Sequence, residues 1–312
     1  MAKEIVSFTN DVFFKFFMCG DDEKSKYVRH FIIRSITGIN PIDSTVLNPE
    51  IIPDKERGNK IVLDVRVRDE EGREFDIEMQ MYGATLTECM RFQYYAAKML
   101  AGQTVVKSHY EKLKPVYEII FMDRETDKDL ISHYQFIDKD GDPIAGNLLN
   151  LYIISLKNIN KIKQEKGIKG MNSFEKLCYL FKNGLTSDIL EVDGREIGIV
   201  VDKYKEMKDN LDVWSYAMAC EIGERRIELV EQDRYNEGMD KGVAIGKEKG
   251  KVEGKIESLQ EILHSKFHSD DVDWLKTLSE RQLNKLLLQT FQCDTVSDLK
   301  KSVNTTDTVE NS

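Results

Sequence analysis

The sequence predicts an α/β fold, one mixed sheet flanked by helices, followed by an all-α carboxy-terminal region. Three observations carry that expectation. Between residues 1 and 156 the apolar spacing changes period in the order α, α, β, β, β, α, β, β. From about Ser173 onward the pattern is helical throughout. The length of 312 residues leaves room for two domains of about 150 residues, or for one large domain with an appendage.

The elements follow in order. Val12, Phe13, Phe16 and Phe17, then Val28, Phe31, Ile32 and Ile36, recur at steps of three and four around MCGDDEKS, which reads as helix, turn, helix. Asn10 or Thr9 can cap the first helix and Gly20 can end it. STVLNPEII reads as a short strand that Pro49 and Pro53 make an edge or bounded element. NKIVLDVRVRDEEGREFDIEMQMY is two alternating runs joined by Asp69, Glu70, Glu71 and Gly72, a hairpin. LTECMRFQYYAAKMLAGQ places Leu86, Met90, Tyr94, Ala97 and Leu100 on one helical face and stops at Gly102. PVYEIIFMD and NLLNLYIISL read as buried strands, with the acidic turn DKDGDP before the second.

Farther on, Gly238, Gly242, Gly246, Gly250 and Gly254 recur every four residues among charged neighbours. Each interior glycine costs a helix roughly 1 kcal/mol, so this stretch is either a charged flexible linker or a helix held by close packing or oligomerisation. The residues after it form a small helical bundle. The expected organisation is a core at 1–160, a helical extension at 161–235, the glycine-stepped segment at 236–256, a helical domain at 257–303 and a flexible tail at 304–312.

Composition narrows the function. A hydrophobic fraction of 41% with 32% charged residues describes a globular chain, and the net charge of −10 requires any nucleic-acid site to be local. The amino terminus lacks a signal-peptide h-region because Asp11 and Lys15 interrupt it, and no apolar run approaches the ~20 residues of a membrane span, so a cytoplasmic protein is expected. Cys19, Cys89, Cys178, Cys220 and Cys293 are scattered without CxxC pairing and read as free core thiols. GxxxxGK[ST], GxSxG and HExxH do not occur, which leaves nucleotide hydrolysis and serine or zinc hydrolase chemistry without support. His264 and His268, four apart, have no third ligand nearby and read as a solvated or half-packed pair.

The chemistry concentrates in the hairpin. Asp76, Glu78 and Gln80 share one face of its second strand, opposite Phe75, Ile77, Met79 and Met81, so one face is core and the other acidic. Asp64 stands among Ile61, Leu63, Val65 and Val67, and antiparallel pairing can bring it beside Glu78. Two carboxylates at close range repel unless a cation or a proton lies between them, and oxygen ligands completed by water and phosphate suit Mg²⁺. A solvated polar hairpin face is the alternative.

An Asp on one strand and Glu78-x-Gln80 on the next resembles the PD-(D/E)XK nuclease superfamily pattern, with Gln80 at the lysine position. In order and spacing NDVFFKFFM, NPEII, LDVRVRDEEGREFDIEMQ, RFQYYAAKML and KLKPVYEIIFMD, across about residues 8 to 123, are similar to the PD-(D/E)XK nuclease family transposases, the recombination-promoting nuclease group. The resemblance implies a restriction-endonuclease-like fold and metal-dependent cleavage of DNA that leaves 3′-hydroxyls. It also implies Asp64, Glu78 and the Met79 carbonyl as ligands of Mg²⁺, for which Mn²⁺ can substitute, with Gln80 beside them. Glu-x-Gln is what this subgroup shows, but a neutral amide can only hydrogen-bond where a lysine would also stabilise charge.

Asp11 can reach the metal from the first helix or cap that helix beside Asn10. Arg91, Tyr95 and Lys98 share a helical stripe that can grip phosphates or form a snorkelling basic face. The expected activity is therefore Mg²⁺-dependent endonucleolytic cleavage of DNA by a homo-oligomer without membrane or nucleotide cofactor. Its rival is a degenerate nuclease fold that binds DNA or a partner and carries a carboxy-terminal oligomerisation module.

Overall fold

The computed structural model describes residues 6–51, 61–81, 85–104, 109–124, 129–192 and 194–304. Pro53 and the tail beyond Asn304 lie outside them. Two helices open the chain, α1 (Asp11–Met18) and α2 (Glu23–Thr37). The buried Asn10 side chain caps α1 by accepting the backbone N–H groups of Val12 and Phe13. Asp22 caps α2, and Gly38 closes it in the left-handed conformation at φ 76°.

The strands follow as β1 (Ser44–Val46), β2 (Glu50–Ile51), β3 (Ile61–Val62), β4 (Val65–Asp69) and β5 (Glu74–Gln80). The helix α3 (Leu86–Ala101) leads to β6 (Val116–Met122), β7 (Ile131–Tyr134) and β8 (Leu149–Ser155). Six of them form one sheet in the order β1-β4-β5-β6-β8-β7. β5, β6 and β8 are parallel, while β1, β4 and β7 join antiparallel, so the sheet is mixed as expected. β5 and β6 are the central pair, and α3 is the crossover between them. β2 and β3 form a separate two-stranded ladder, so STVLNPEII is two strands in two sheets rather than one.

The hairpin turn is the expected one. Gly72 takes φ 81°, and the Asp69 carboxylate accepts the N–H groups of Glu71 and Arg73. The strand before it is not continuous, because the chain bends at Leu63–Asp64 between β3 and β4.

One face of the sheet joins the main core. Val65, Val67, Phe75, Ile77, Ile119 and Phe121 pack there with Phe13, Phe14 and Phe17 of α1. The opposite face lies under α3, which sets Phe92, Ala96 and Met99 against Leu63, Val116, Ile120 and Met122. The expected α3 face is therefore reversed: Leu86, Met90 and Tyr94 are exposed. Apolar residues surround this helix, and the sheet beneath it selects the phase. The acidic face of β5 is consequently not solvated, since Glu74, Asp76 and Glu78 are all buried.

Helices α4 (Ile159–Gly170), α5 (Ser173–Asn183), α6 (Ser187–Leu190) and α7 (Arg195–Asp209) complete the layer on the main-core side, where Leu177, Leu180, Val200 and Tyr204 are buried. The helix α8 (Leu211–Phe267) follows, then α9 (Glu280–Gln289) and α10 (Val296–Asn304). The chain divides into two compact units, Met1–Arg225 and Arg226–Ser312. The second has its own small core of Leu259, Leu263, Leu275, Leu283, Leu286 and Leu299. The glycine-stepped segment is helical, and apart from the helix's own backbone and the flanking residues no described atom lies within 4 Å of where a Cβ would stand at its five glycines.

Two smaller expectations need correction. His268 falls beyond the end of α8 with φ 49°, so it shares no helical face with His264, which pairs with Asp270 at 2.8 Å. The five cysteines are free, but only Cys178 is fully buried.

Candidate active site

The site is built where β4 and β5 stop pairing. Their ladder ends at Val65 opposite Ile77, and the next pair would be Asp64 and Glu78. There the carboxylates replace the backbone acceptors. The Asp64 N–H donates to Glu78 Oε1 at 3.1 Å, and the Met79 N–H donates to Asp64 Oδ2 at 3.1 Å. The bend at Asp64 makes this exchange possible, and the two acids expected to meet do meet.

Charge compensation falls off along β5. Arg66 and Arg68 both grip Glu74, at 2.8 Å and 2.6 Å. Asp76, the next acid on that face, sits directly opposite Glu118 of β6 in the parallel ladder. Both are fully buried, and none of their four carboxylate oxygens meets a donor. Burial first pushes both well above the usual carboxylate range, joined at Asp76 by the charges of Glu118 and Glu78 and at Glu118 by the charge of Glu78. Burial and the neighbouring Asp64 also push Glu78 up, to about 7. Buried carboxyl groups perturbed in this way mark a candidate functional site.

The first helix supplies one cation. Lys15 Nζ lies 3.0 Å from Asp64 Oδ1 and 3.0 Å from Asp11 Oδ1. Burial alone would lower its pKa, but Asp64 and Asp11 outweigh burial and keep it raised. Asp11 is thus no cap, since Asn10 fills that role; it braces Lys15 one helical turn on. Sequence reasoning missed Lys15 as a site residue, although its i,i+4 spacing from Asp11 was visible. It also missed Glu118, whose signal was a lone acid inside the apolar run VYEIIFM.

The α3 residues lie on the other flank. Arg91 Nη2 donates to Gln80 Oε1 at 2.8 Å and forms an ion pair with Glu88 at 2.8 Å. Its guanidinium carbon is 5.6 Å from the centre of the Tyr95 ring. Tyr95 is half-buried against Ala96 and Met99, and Lys98 Nζ lies 6.0 Å from the ring centre of Tyr94. The stripe exists, but Arg91 is turned toward Gln80 and the acidic face.

Among the described residues no group of three or more His, Cys, Asp or Glu side chains is arranged to hold a metal ion. The donors at hand are nonetheless the right kind for a hard divalent cation. Asp64 and Glu78 offer carboxylate oxygens, and Met79, whose N–H bonds Asp64, follows Glu78 directly in the strand.

A model of the PD-(D/E)XK nuclease family transposases matches residues 8–231. No curated protein and no solved structure matches. Among the described residues no helix is long and apolar enough to cross a membrane.

Proposed function

Because the chain belongs to the PD-(D/E)XK nuclease family transposases, we propose that it is a divalent-metal-dependent DNA endonuclease whose metal site is formed by Asp64, Glu78 and the Met79 carbonyl. The observation that supports this reading best is the juxtaposition of Asp64 and Glu78, locked by reciprocal hydrogen bonds at 3.1 Å, at the end of an otherwise buried acidic face.

Bound there, Mg²⁺ or Mn²⁺ would neutralise the scissile phosphate and acidify the attacking water. The remaining work falls to the chain. Asp64 and Glu78 each spend one oxygen on a backbone N–H, which fixes their orientation before substrate arrives. Gln80, held by Arg91, offers an amide that can orient the water but carries no charge. The water oxygen forms a bond to phosphorus as the bond from phosphorus to the 3′ oxygen breaks. One water proton passes to solvent, and the departing 3′ oxygen takes one up, giving a 5′-phosphate and a 3′-hydroxyl. Arg91, Tyr95 and Lys98 line the route by which the phosphate backbone would approach along α3. The acidic chain as a whole repels DNA, so this local basic edge carries the attraction.

Metal-induced thermal stabilisation tests the site independently of cleavage. The melting curve should rise with millimolar Mg²⁺ or Mn²⁺ by mass action, and Asp64→Ala should abolish the rise. No response in the wild type, with or without DNA, would remove the metal site.

A further inference from the structure

A positive group near the phosphate besides the metal would stabilise the charge that develops during hydrolysis, and the strand position that the resemblance assigns to a lysine holds neutral Gln80. We infer that Lys15, delivered from α1, is that group: its ammonium contacts the scissile phosphate and the attacking water while Asp11 holds it in place. The inference rests on the nuclease reading above.

Four features of the molecule support it. Lys15 is one residue from Phe14 and two from Phe17, both fully buried, so its backbone is anchored in the main core. The start of α1 is fixed by the buried Asn10, whose Nδ2 donates to Glu221 Oε2 at 3.1 Å. The ammonium stands 3.0 Å from Asp64 Oδ1, the carboxylate assigned to the metal. It has three N–H donors for Asp11 and Asp64, on a side chain 36% exposed, so one donor can turn to a phosphate oxygen while the other two stay bonded.

The rival cation is Arg91. Its Nη2 is engaged by Gln80 and Glu88, and although its charge reaches Glu78 it makes no hydrogen bond or ion pair to Asp64 or Glu78, whereas Lys15 pairs directly with Asp64. Lys15 therefore takes the electrostatic part that a lysine in place of Gln80 would play, and Gln80 keeps the hydrogen-bonding part. Lys15 transfers no proton in this scheme.

The experiment compares full-length wild type, Lys15→Met, Lys15→Arg and Arg91→Met. Each is assayed for the initial rate of supercoiled-plasmid nicking in Mn²⁺, for affinity to a duplex in EDTA, and for the melting shift with Mn²⁺ alone. Loss of one preorganised charged donor is worth roughly 10²- to 10³-fold in rate. Lys15→Met should lose about that much nicking while keeping its DNA affinity, with an Mn²⁺ shift at least as large as wild type, because Asp64 is left with no competing cation. Lys15→Arg should recover part of the rate.

Wild-type nicking by Lys15→Met would overturn the inference and leave the nuclease reading intact. So would loss of nicking together with loss of the Mn²⁺ shift, since Lys15 would then act only by holding Asp64. A large rate loss in Arg91→Met at unchanged DNA affinity, with Lys15→Met near wild type, would transfer the role to Arg91. No nicking by the wild type in any metal would overturn the nuclease reading and the inference with it.

Discussion

Glu78→Gln should stabilise the metal-free protein while abolishing its activity, and the two effects should separate with pH. Glu78 ionises at about 7 in the fold against an ordinary value of 4.5, because it is buried and faces Asp64. A raised carboxyl pKa means that the folded state holds its proton longer than the unfolded chain does. The resulting stability is complete below ~4.5, drains away as pH rises toward ~7 and is gone above it. At pH 8 the ionised wild-type side chain thus costs about 3 kcal/mol relative to a neutral one. Glutamine keeps the Oε1 acceptor for the Asp64 N–H and replaces the second oxygen with a donor for a neighbouring carboxylate. In a unit of this size each kcal/mol moves the melting temperature by roughly 2–4 °C. Differential scanning fluorimetry in EDTA should therefore show the variant melting roughly 6–12 °C above wild type at pH 8 and close to it at pH 4.5. An equal gain at both pH values would refute the electrostatic reasoning, as would a loss at pH 8.

Other perturbations probe separate parts of the molecule. Asn10→Ala removes a buried cap and leaves Glu221 short of a donor, so urea unfolding should show a loss of roughly 1–3 kcal/mol. Replacing Arg91 or Lys98 should weaken DNA binding across all sequences and flatten the dependence of log affinity on log salt by roughly one unit each, measured by fluorescence anisotropy. Asp76→Asn should raise metal-free stability at pH 8, because it supplies Glu118 with the donor it lacks; calorimetry at pH 8 checks this. If the open backbone at Gly242 and Gly246 packs a second copy in a homo-oligomer, Gly242→Leu combined with Gly246→Leu should lower the sedimentation coefficient of the full-length protein.

The sequence made the strand pattern legible where alternation was strong. Phe75, Ile77 and Met79 against Asp76, Glu78 and Gln80 identified β5, and the Asp69–Gly72 turn identified its partner. Alternation distinguishes two faces of a strand, but it cannot tell whether the second face is covered. That depended on Phe92, Ala96 and Met99 of a distant helix, whose all-round apolar surface hid its phase. The polar edge strand β7, ISHY, has only Ser132 fully buried and gave no periodic signal. Asp64 and Glu78 were legible because their spacing suits a hairpin. Lys15 was not, because its salt bridge to Asp64 joins segments that only the tertiary packing of α1 brings together. Glu118 was an anomaly in plain view, an acid among buried apolar residues, with a meaning that required the β5–β6 register.

The central claim is that Asp64 and Glu78 hold a metal that cleaves DNA. Incubation of supercoiled plasmid with the full-length protein in Mg²⁺, Mn²⁺ or EDTA, alongside Asp64→Ala and Glu78→Ala, tests it most directly. The account predicts nicking that requires metal and is lost in both variants. Intact DNA binding with no cleavage in any metal would contradict it and make the protein a nuclease fold retained for binding alone.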